Sequence, residues 1–319
     1  MIQQFEAGLL RLKEHDTKDG TMRLVTFTHN GATRAGAIQG DGVVDLNATN
    51  ASIPAEMLAL LQGGDAMLAA AAEAAASGDA IAALADVKLE SPILLPPKIL
   101  AIGLNYRDHF DEIPAEIKEK RGLKLPTVPV VFNKQSTSAH SAYDPVELPP
   151  ESPELDYEAE LGVVIGKTCR RVPKERAYEV VAGYTVLNDL TIRDWQRATP
   201  TMTMGKSWDT HCPMGPSIVT KDEIADPHNL GVKTLVDGEV VQDFNTSTML
   251  FDIPSLIAHL STAFTLTPGD VIASGTGAGV AVFRPGQPFL KEGQVCRVDI
   301  DQIGHIENRV EAGGPSFIR

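Results

Sequence analysis

The chain has 319 residues, and its 28 Lys and Arg residues against 42 Asp and Glu residues give a formal net charge of −14. A surface this acidic repels phosphate backbones and anionic membranes, so we expect neither nucleic acid nor a membrane as a partner. No apolar run reaches the roughly 18 residues that a membrane-spanning helix needs.

The cysteines and the N-terminal segment indicate the cellular compartment of the protein. Cys169, Cys212 and Cys296 are far apart and lack CxxC spacing, which argues against a disulfide scaffold or a zinc site and fits a reducing cytosol. The first residues carry charged side chains and no apolar signal core, so secretion is not indicated. We therefore expect a cytoplasmic protein.

Changes in pattern along the chain predict its domain organisation. Short strands separated by turns such as Asn30-Gly31 come first, and Ala-rich helices follow to about Ala85. The proline-rich connection that starts at Pro92 predicts a boundary. The expected divisions are a polar N-terminal extension, a small N-terminal α/β domain and a catalytic metal-binding domain, over residues 1–21, 22–92 and 93–319.

Strands dominate the chain beyond this boundary. They are predicted at residues 99–102, 128–132, 159–165, 180–187, 232–236, 240–243, 271–273 and 295–300. Helices are predicted at residues 107–121, around Asp194 and at residues 254–261. This balance indicates a strand-rich α+β fold rather than an alternating βαβ fold.

An acidic strand is the most informative segment. Asp156, Glu158 and Glu160 precede the apolar run 161–165, and strand alternation puts their side chains on one face, about 6.6–6.8 Å apart. Like charges at this spacing on a buried strand are unfavourable. Either this face is open to water, or a divalent cation neutralises it.

Asp189 favours the cation. It ends the next apolar strand, where its side chain can converge on the same cavity. Two glutamates and one aspartate form an all-oxygen ligand set, which suits Mg²⁺ or Mn²⁺ with positions left for water and substrate.

A histidine and a glutamate form the second informative segment. If the chain is helical from Arg107, His109 and Glu112 are three residues apart on one face. A carboxylate beside an imidazole fixes its tautomer and raises its basicity, which is suited to activating water. The spacing alone is also that of an ordinary surface pair.

Together these segments resemble the fumarylacetoacetate hydrolase family. The matching pieces occur in order over roughly residues 93–310, and the ordered set is far more specific than any single piece. They are Asn105-Tyr106-x-x-His109-x-x-Glu112, Phe132-x-Lys134 with Ser136, Asp156-Tyr157-Glu158-x-Glu160-Leu161, Asn188-Asp189-x-Thr191-x-Arg193-Asp194, Gly205-Lys206-Ser207-x-Asp209-x-x-Cys212-Pro213-x-Gly215-Pro216, Asp243-Phe244-Asn245-Thr246 and Pro268-Gly269-Asp270-Val271-Ile272-x-x-Gly275-Thr276-Gly277.

The resemblance implies a mixed β-roll, a homodimer and a divalent metal site. Mg²⁺ or Mn²⁺ would be held by the carboxylates of Glu158, Glu160 and Asp189. The substrate would be a small anionic 2-oxo or 2,4-dioxo acid that chelates the metal. The implied catalytic residues are His109 and Glu112, which activate water from a lid, and Lys206, which stabilises developing negative charge.

The resemblance also implies a set of substrate-binding residues, namely Tyr106, Ser136, Arg193, Gln196 and Thr276. Three departures from the family pattern lie where substrate would be bound or covered. Gly277 replaces a common proline, Gln135 replaces another, and the segment 114–126 lengthens the expected lid.

From the residues and the resemblance we expect hydrolysis of a C–C bond in an acylpyruvate or 2,4-dioxo acid, such as fumarylpyruvate, fumarylacetoacetate or a diketo sugar acid. The alternatives are decarboxylation of oxaloacetate, which needs the same enolate stabilisation but no attacking water, and isomerisation or hydration of a 2-oxo acid of aromatic catabolism. A non-catalytic protein with purely structural carboxylates is a further alternative.

Overall fold

The structure is a computed structural model that describes residues 22–314, so the predicted extension at 1–21 lies outside the described residues. Its strands are β1 (Arg23–His29), β2 (Ala32–Gln39), β3 (Gly42–Asp45), β4 (Ala82–Ala83), β5 (Lys88–Leu89), β6 (Ile99–Gly103), β7 (Val130–Lys134), β8 (Ala139–His140), β9 (Val146–Leu148), β10 (Leu155–Asp156), β11 (Ala159–Ile165), β12 (Val181–Asn188), β13 (Thr191–Ile192), β14 (Cys212–Thr220), β15 (Gly231–Val236), β16 (Glu239–Asn245), β17 (Val271–Ala273), β18 (Val295–Ile300) and β19 (Gly304–Ala312).

The helices are fewer and mostly short. They are α1 (Leu46–Thr49), α2 (Met57–Gln62), α3 (Gly64–Ser77), α4 (Arg107–Glu112), α5 (Ala115–Arg121), α6 (Arg193–Ala198), α7 (Thr203–Lys206) and α8 (Ile253–Ala263). Short 3₁₀ segments are Leu84–Asp86, Ser136–Ser138, Lys174–Val180, Lys221–Glu223, Thr246–Thr248 and Ala281–Phe283. Among these helices, none is both long enough and apolar enough to cross a bilayer.

Two large sheets and a two-stranded sheet organise the described chain. The 12-stranded sheet runs in the order β4-β3-β2-β1-β14-β12-β11-β17-β6-β7, with β5 and β8 paired to β1 and β14. The five-stranded sheet runs β16-β15-β18-β19-β9, and β10 pairs with β13. Most neighbours are antiparallel, while β17 and β6 are parallel. The predicted strand-rich α+β class with mixed sheets is confirmed.

Strands of the N-terminal region continue the central sheet. Backbone pairing of β1 with β14 places Arg23 opposite Val219, so residues on both sides of the predicted boundary share one sheet. The division of the chain into two domains stays a prediction. The Ala-rich helices α2 and α3 pack on this sheet with Leu60, Leu61 and Ala71 fully buried.

Two predicted helices differ from the structure. The helix expected over residues 107–121 is broken into α4 and α5, because Ile113 and Pro114 adopt extended backbone. The Ala-rich helix expected to reach about residue 85 ends at Ser77. Gly78 follows in extended backbone and packs so closely that a Cβ there would lie 2.7 Å from Val44.

Strand pairing brings the acidic residues of two strands together. Ala159 of β11 lies opposite Asn188 of β12, so Glu158 and Asp189 are neighbours just beyond this pair. The Asp189 backbone N–H donates to the Glu158 carbonyl oxygen over 2.8 Å. On the other side of β11, β17 leads into the loop whose Gly275 reaches the same site.

Candidate active site and metal centre

Three buried carboxylates lie together at this point of the sheet. Glu158, Glu160 and Asp189 each offer an oxygen within 4.8 Å of the others, and each side chain is almost fully buried. Glu160 lies in β11, Glu158 immediately precedes that strand, and Asp189 follows β12 directly. The arrangement can hold one cation between three carboxylates from two paired strands.

Asp156 does not join this group of three carboxylates, and the face predicted to be shared by residues 156, 158 and 160 stays a prediction. The strand is interrupted between β10 and β11, which ends the simple alternation of side chains. Oδ1 of Asp156 accepts from the Ala281 N–H at 2.8 Å, and Oδ2 accepts from Nε of Arg193 at 2.7 Å. Asp156 therefore positions Arg193.

Buried cations surround the carboxylates. Nζ of Lys206 lies 2.7 Å from both Oε2 of Glu158 and Oδ2 of Asp189. Nζ of Lys134 lies 2.6 Å from the other oxygen of Asp189, and Nη1 of Arg193 lies 2.7 Å from Oε1 of Glu158. Burial opposes the charge of Lys206, but Asp189 and Glu158 outweigh it and raise the Lys206 pKa. Lys206 is consequently a cation at neutral pH rather than a base.

The two glutamates have opposite electrostatic environments. Burial favours protonation of Glu158, but the positive charges of Lys206 and Arg193 lower its pKa to about 2. Burial together with the negative charges of Asp189 and Glu158 raises the pKa of Glu160 well above its ordinary value. Within residues 22–314 no salt bridge reaches Glu160, whose Oε2 accepts only the Gly275 N–H at 2.6 Å. This unneutralised oxygen ligand fits a hard divalent cation beside Glu158 and Asp189.

His109 and Glu112 form the predicted pair on α4. Nδ1 of His109 lies 2.6 Å from Oε1 of Glu112, while Oε2 of Glu112 accepts from the Gly279 N–H at 2.7 Å. The carboxylate is thereby fixed from two sides. Because a carboxylate only accepts, Nδ1 carries the hydrogen and Nε2 is the ring nitrogen left for a ligand.

A cavity of about 1020 Å³ joins these groups. Of the predicted site residues, those that line it are His109, Glu158, Glu160, Arg193, Gln196, Lys206 and Thr276. Glu112 and Asp189 do not line the cavity. Glu112 contacts His109, and fully buried Asp189 contacts Lys206. Exposed Arg121 and Lys124, from α5 and the loop after it, line the outer part. An acidic protein thus has a basic cavity entrance.

Two predicted substrate-binding residues do not line this cavity. Tyr106 is fully buried, and its ring packs edge-on against Phe244 with 5.0 Å between centroids. Burial raises the pKa of its hydroxyl well above the ordinary value. Ser136 donates its hydroxyl hydrogen to the Pro96 carbonyl over 2.6 Å. In this conformation both side chains serve the packing around the site.

Lys134 is a site residue whose role its sequence motif does not reveal. It is fully buried and contacts Asp189, and it also donates to the carbonyl oxygens of Leu190 and Lys206. It therefore joins β7, the end of β12 and α7. The signal was available, because Lys134 lies in the Phe132-x-Lys134 piece, but one lysine before a loop does not reveal its partner.

Comparison with known proteins agrees with this fold and site. The family model for the fumarylacetoacetate (FAA) hydrolase C-terminal domain matches residues 98–311. The mitochondrial oxaloacetate tautomerase fahd2 of Xenopus laevis is 42% identical over 296 residues, which cover 91% of this chain and 90% of that protein. Its compartment differs from the cytoplasm expected here, so the cytoplasmic localisation stays a prediction.

Solved structures give the same result. Maleylpyruvate hydrolase from Sphingobium sp. SYK-6, in complex with manganese(II) ion and pyruvate, has a TM-score of 0.75 and 33% identity, covering 92% of this chain and 100% of that one. A 5-carboxymethyl-2-hydroxymuconate delta-isomerase from Mycobacterium smegmatis has a TM-score of 0.71 and 32% identity with the same coverage. The chain therefore belongs to the fumarylacetoacetate hydrolase family of enzymes.

Proposed function

We propose that the protein catalyses keto–enol tautomerisation of a 2-oxo dicarboxylic acid, with oxaloacetate as the candidate substrate. The observation that carries the proposal is His109, fixed by Glu112, in a cavity that also holds the Lys206 ammonium group. Similarity to proteins named as a tautomerase and a delta-isomerase supports proton transfer over bond hydrolysis. The hydrolysis expected from the sequence is accordingly the second candidate.

His109 is the proposed base. Its Nδ1–H is held by Glu112, so the unprotonated Nε2 can accept a proton from C3 of the substrate. The same proton can then pass from Nε2 to the oxygen at C2. The C3–H bond breaks, the C2 oxygen gains a hydrogen, and no water is consumed.

Lys206 and Arg193 are the residues proposed to bind the negatively charged oxygens of the substrate. The raised pKa of Lys206 keeps its ammonium group charged, so it can stabilise negative charge on the C2 oxygen. Nη2 of Arg193 is buried without a hydrogen-bond partner among the described residues, and Arg193 lines the cavity. A substrate carboxylate would satisfy this orphaned donor.

Glu158, Glu160 and Asp189 would hold a divalent metal ion, Mg²⁺ or Mn²⁺. When bound, such an ion supplies Lewis acidity and a template for the two oxygens of a 2-oxo acid. Lys134 contacts one oxygen of Asp189 and Arg193 contacts one oxygen of Glu158, while Lys206 contacts the other oxygen of both. These contacts keep the two carboxylates oriented toward one another.

Hydrolysis of an acylpyruvate is the second candidate, because the same His109–Glu112 pair can take a proton from water. The maleylpyruvate hydrolase neighbour and the size of the cavity favour it. Decarboxylation of oxaloacetate is related, since it uses the Lys206 charge but has no step for His109.

The test is a substrate panel with product analysis. Oxaloacetate, maleylpyruvate and acylpyruvates are incubated with Mg²⁺ or Mn²⁺, with EDTA, and with metal alone. The proposal expects faster decay of the oxaloacetate enol absorbance than with metal alone, without pyruvate or CO₂. Cleavage of maleylpyruvate with no effect on the enol would replace it by the hydrolase function, and CO₂ release alone would replace it by decarboxylation.

A further inference from the structure

Gln242 is a buried side chain that reaches from β16 of the five-stranded sheet to the site. It is 2% exposed and contacts both the metal-binding strand β11 and the loop that carries Thr276. We infer that Gln242 is a positioning residue that turns the Thr276 hydroxyl hydrogen into the cavity, toward a carboxylate oxygen of the ligand. This inference rests on the proposed function, because it takes a 2-oxo acid as that ligand.

The neighbours of the Gln242 amide fix its orientation. The Ala159 N–H, which can only donate, lies 3.1 Å from Oε1 of Gln242. The atom there must be the oxygen, and it also accepts from the Thr234 hydroxyl at 2.7 Å. The amide nitrogen is thereby assigned to the opposite side, so its orientation follows from its neighbours.

Both hydrogens of the Gln242 amide nitrogen have acceptors. Nε2 of Gln242 donates one hydrogen to Oγ1 of Thr276 over 2.9 Å and the other to the Gly277 carbonyl over 3.1 Å. All four hydrogen-bonding positions of the amide are then used. Rotation of the amide would place its oxygen against the Gly277 carbonyl and its nitrogen against the Ala159 N–H, which leaves these two buried backbone groups without a partner.

The Thr276 hydroxyl accepts one hydrogen bond and keeps its own hydrogen for another partner. Oγ1 of Thr276 accepts from Gln242, and within residues 22–314 no acceptor receives its hydrogen. Thr276 is 3% exposed and lines the cavity, so its free hydroxyl hydrogen points into the cavity. Thr276 is consequently a donor toward the ligand, and it selects an acceptor such as a carboxylate oxygen over a hydroxyl or amide hydrogen.

Pyruvate binding to the Mn²⁺-supplemented protein tests this, measured by isothermal titration calorimetry. Thr276→Val removes the hydroxyl at constant shape, and Gln242→Glu replaces the donor with an acceptor that draws the hydrogen away from the cavity. Each is expected to weaken pyruvate binding about tenfold, the loss of one hydrogen bond to a charged group. Gln242→Glu should add nothing further in the Thr276→Val background, and Mn²⁺ affinity should stay unchanged.

The controls separate positioning from general damage. Gln39→Glu, on the exposed end of β2, should leave pyruvate affinity at the wild-type value. Gln242→Met removes the donor without adding a charge and serves if Gln242→Glu does not fold. Methyl pyruvate, which lacks the carboxylate charge, should lose less affinity than pyruvate in every Thr276 and Gln242 variant.

Three results would overturn the inference. Wild-type affinity in the Thr276→Val variant removes the donor role, and wild-type affinity in folded Gln242 variants removes the positioning role. If Gln242→Glu weakens pyruvate binding as much in the Thr276→Val background as in the wild-type protein, then Gln242 does not act through the Thr276 hydroxyl. Failure of the wild-type protein itself to bind pyruvate would instead refute the 2-oxo acid ligand, and the inference with it.

Discussion

The ammonium group of Lys206 lies 2.7 Å from Oδ2 of Asp189 in the interior of the protein. This contact joins a proposed metal ligand to the proposed stabiliser of the reaction, and Glu158 shares the same ammonium group. Lys206 therefore has two tasks. It balances buried negative charge in the protein, and it presents positive charge to the cavity.

Lys206→Met should destabilise the protein most when metal is withheld. Removing one partner of a buried ion pair leaves the carboxylates of Glu158 and Asp189 less neutralised, at a cost of about 3–5 kcal/mol. Urea unfolding with EDTA measures the loss, and added Mn²⁺ should recover part of it. Lys233→Met, which removes an exposed partner of Asp243, is the control and should change stability by less than about 1 kcal/mol. Equal losses in the two variants would contradict this account.

Glu160→Gln should have opposite effects on stability and metal binding. The pKa of Glu160 is raised by burial and by Asp189 and Glu158, so its ionised form opposes folding above its ordinary pKa. The amide keeps an acceptor for Gly275 and removes the charge, so the metal-free variant should be more stable than wild type at pH 7.5. Its Mn²⁺ affinity should fall by at least about 100-fold, because loss of a ligand costs more than the 10–100-fold that loss of a ligand's hydrogen-bond partner costs.

Calorimetry and unfolding at pH 7.5 measure both quantities for this variant. Glu239→Gln, at an exposed carboxylate far from β11 in sequence, is the matched control and should alter neither. Unchanged Mn²⁺ affinity in Glu160→Gln would exclude Glu160 as a ligand.

Much of the fold could be predicted from local pattern. The strands at residues 159–165, 271–273 and 295–300 agree with the structure, because apolar runs and flanking turns mark them. The Asn30-Gly31 turn between β1 and β2 is also confirmed, with positive φ at both residues. β14 was missed because Pro213, Gly215 and Pro216 indicate a turn, yet it lies between β1 and β12.

The identity of the site residues could be predicted better than the contacts between them. The convergence of Glu158, Glu160 and Asp189 follows from two adjacent strands, and the structure brings them together. Lys134 and Gln242 were given no role, since their partners are 55 residues away at Asp189 and 83 residues away at Ala159. Such contacts depend on sheet topology, which local periodicity does not contain. Tyr106 is the opposite case, because it was expected to bind substrate and is fully buried instead. Its position in the motif does not indicate its burial.

The basic cavity entrance should strengthen substrate binding through charge. Arg121 and Lys124 line the cavity of a protein with a net charge of −14, and no salt bridge in the described part of the chain neutralises them. Arg121→Gln with Lys124→Gln should raise KM several-fold for a dianionic substrate while kcat changes little. The effect should shrink as salt is added. Lys120→Gln, on the same helix but outside the cavity lining, is the control, and an equal rise in KM there would contradict a specific role.

His211 should make stability fall between pH 7.5 and pH 5. Burial lowers its pKa to about 3 from the ordinary value of 6.5, and its Nε2–H donates to the Glu147 carbonyl over 2.7 Å. The unfolded chain therefore binds more protons below pH 6.5, and the stability that the neutral ring contributes is present above pH 6.5 and is lost as the pH falls toward 3. At pH 5 the loss is about 2 kcal/mol.

Urea unfolding at both pH values measures this contribution. His211→Gln should be less stable than wild type at pH 7.5. This gap in the free energy of unfolding should narrow by about 2 kcal/mol at pH 5. His259→Gln, at an exposed histidine on α8, is the control and should show no such change in its gap. A gap for His211→Gln that is independent of pH would show that the ring is not held neutral.

The rate at which the C3 hydrogens of oxaloacetate exchange with D₂O, followed by ¹H NMR, tests the central claim most directly. With Mg²⁺ present, the wild-type protein should accelerate exchange well beyond metal alone. His109→Gln should lose about 10²–10⁴-fold of that acceleration with unchanged Mn²⁺ affinity. Asp111→Asn, at an exposed carboxylate on α4, should match wild type. Exchange no faster than with metal alone, or full acceleration by His109→Gln, would contradict proton transfer by His109.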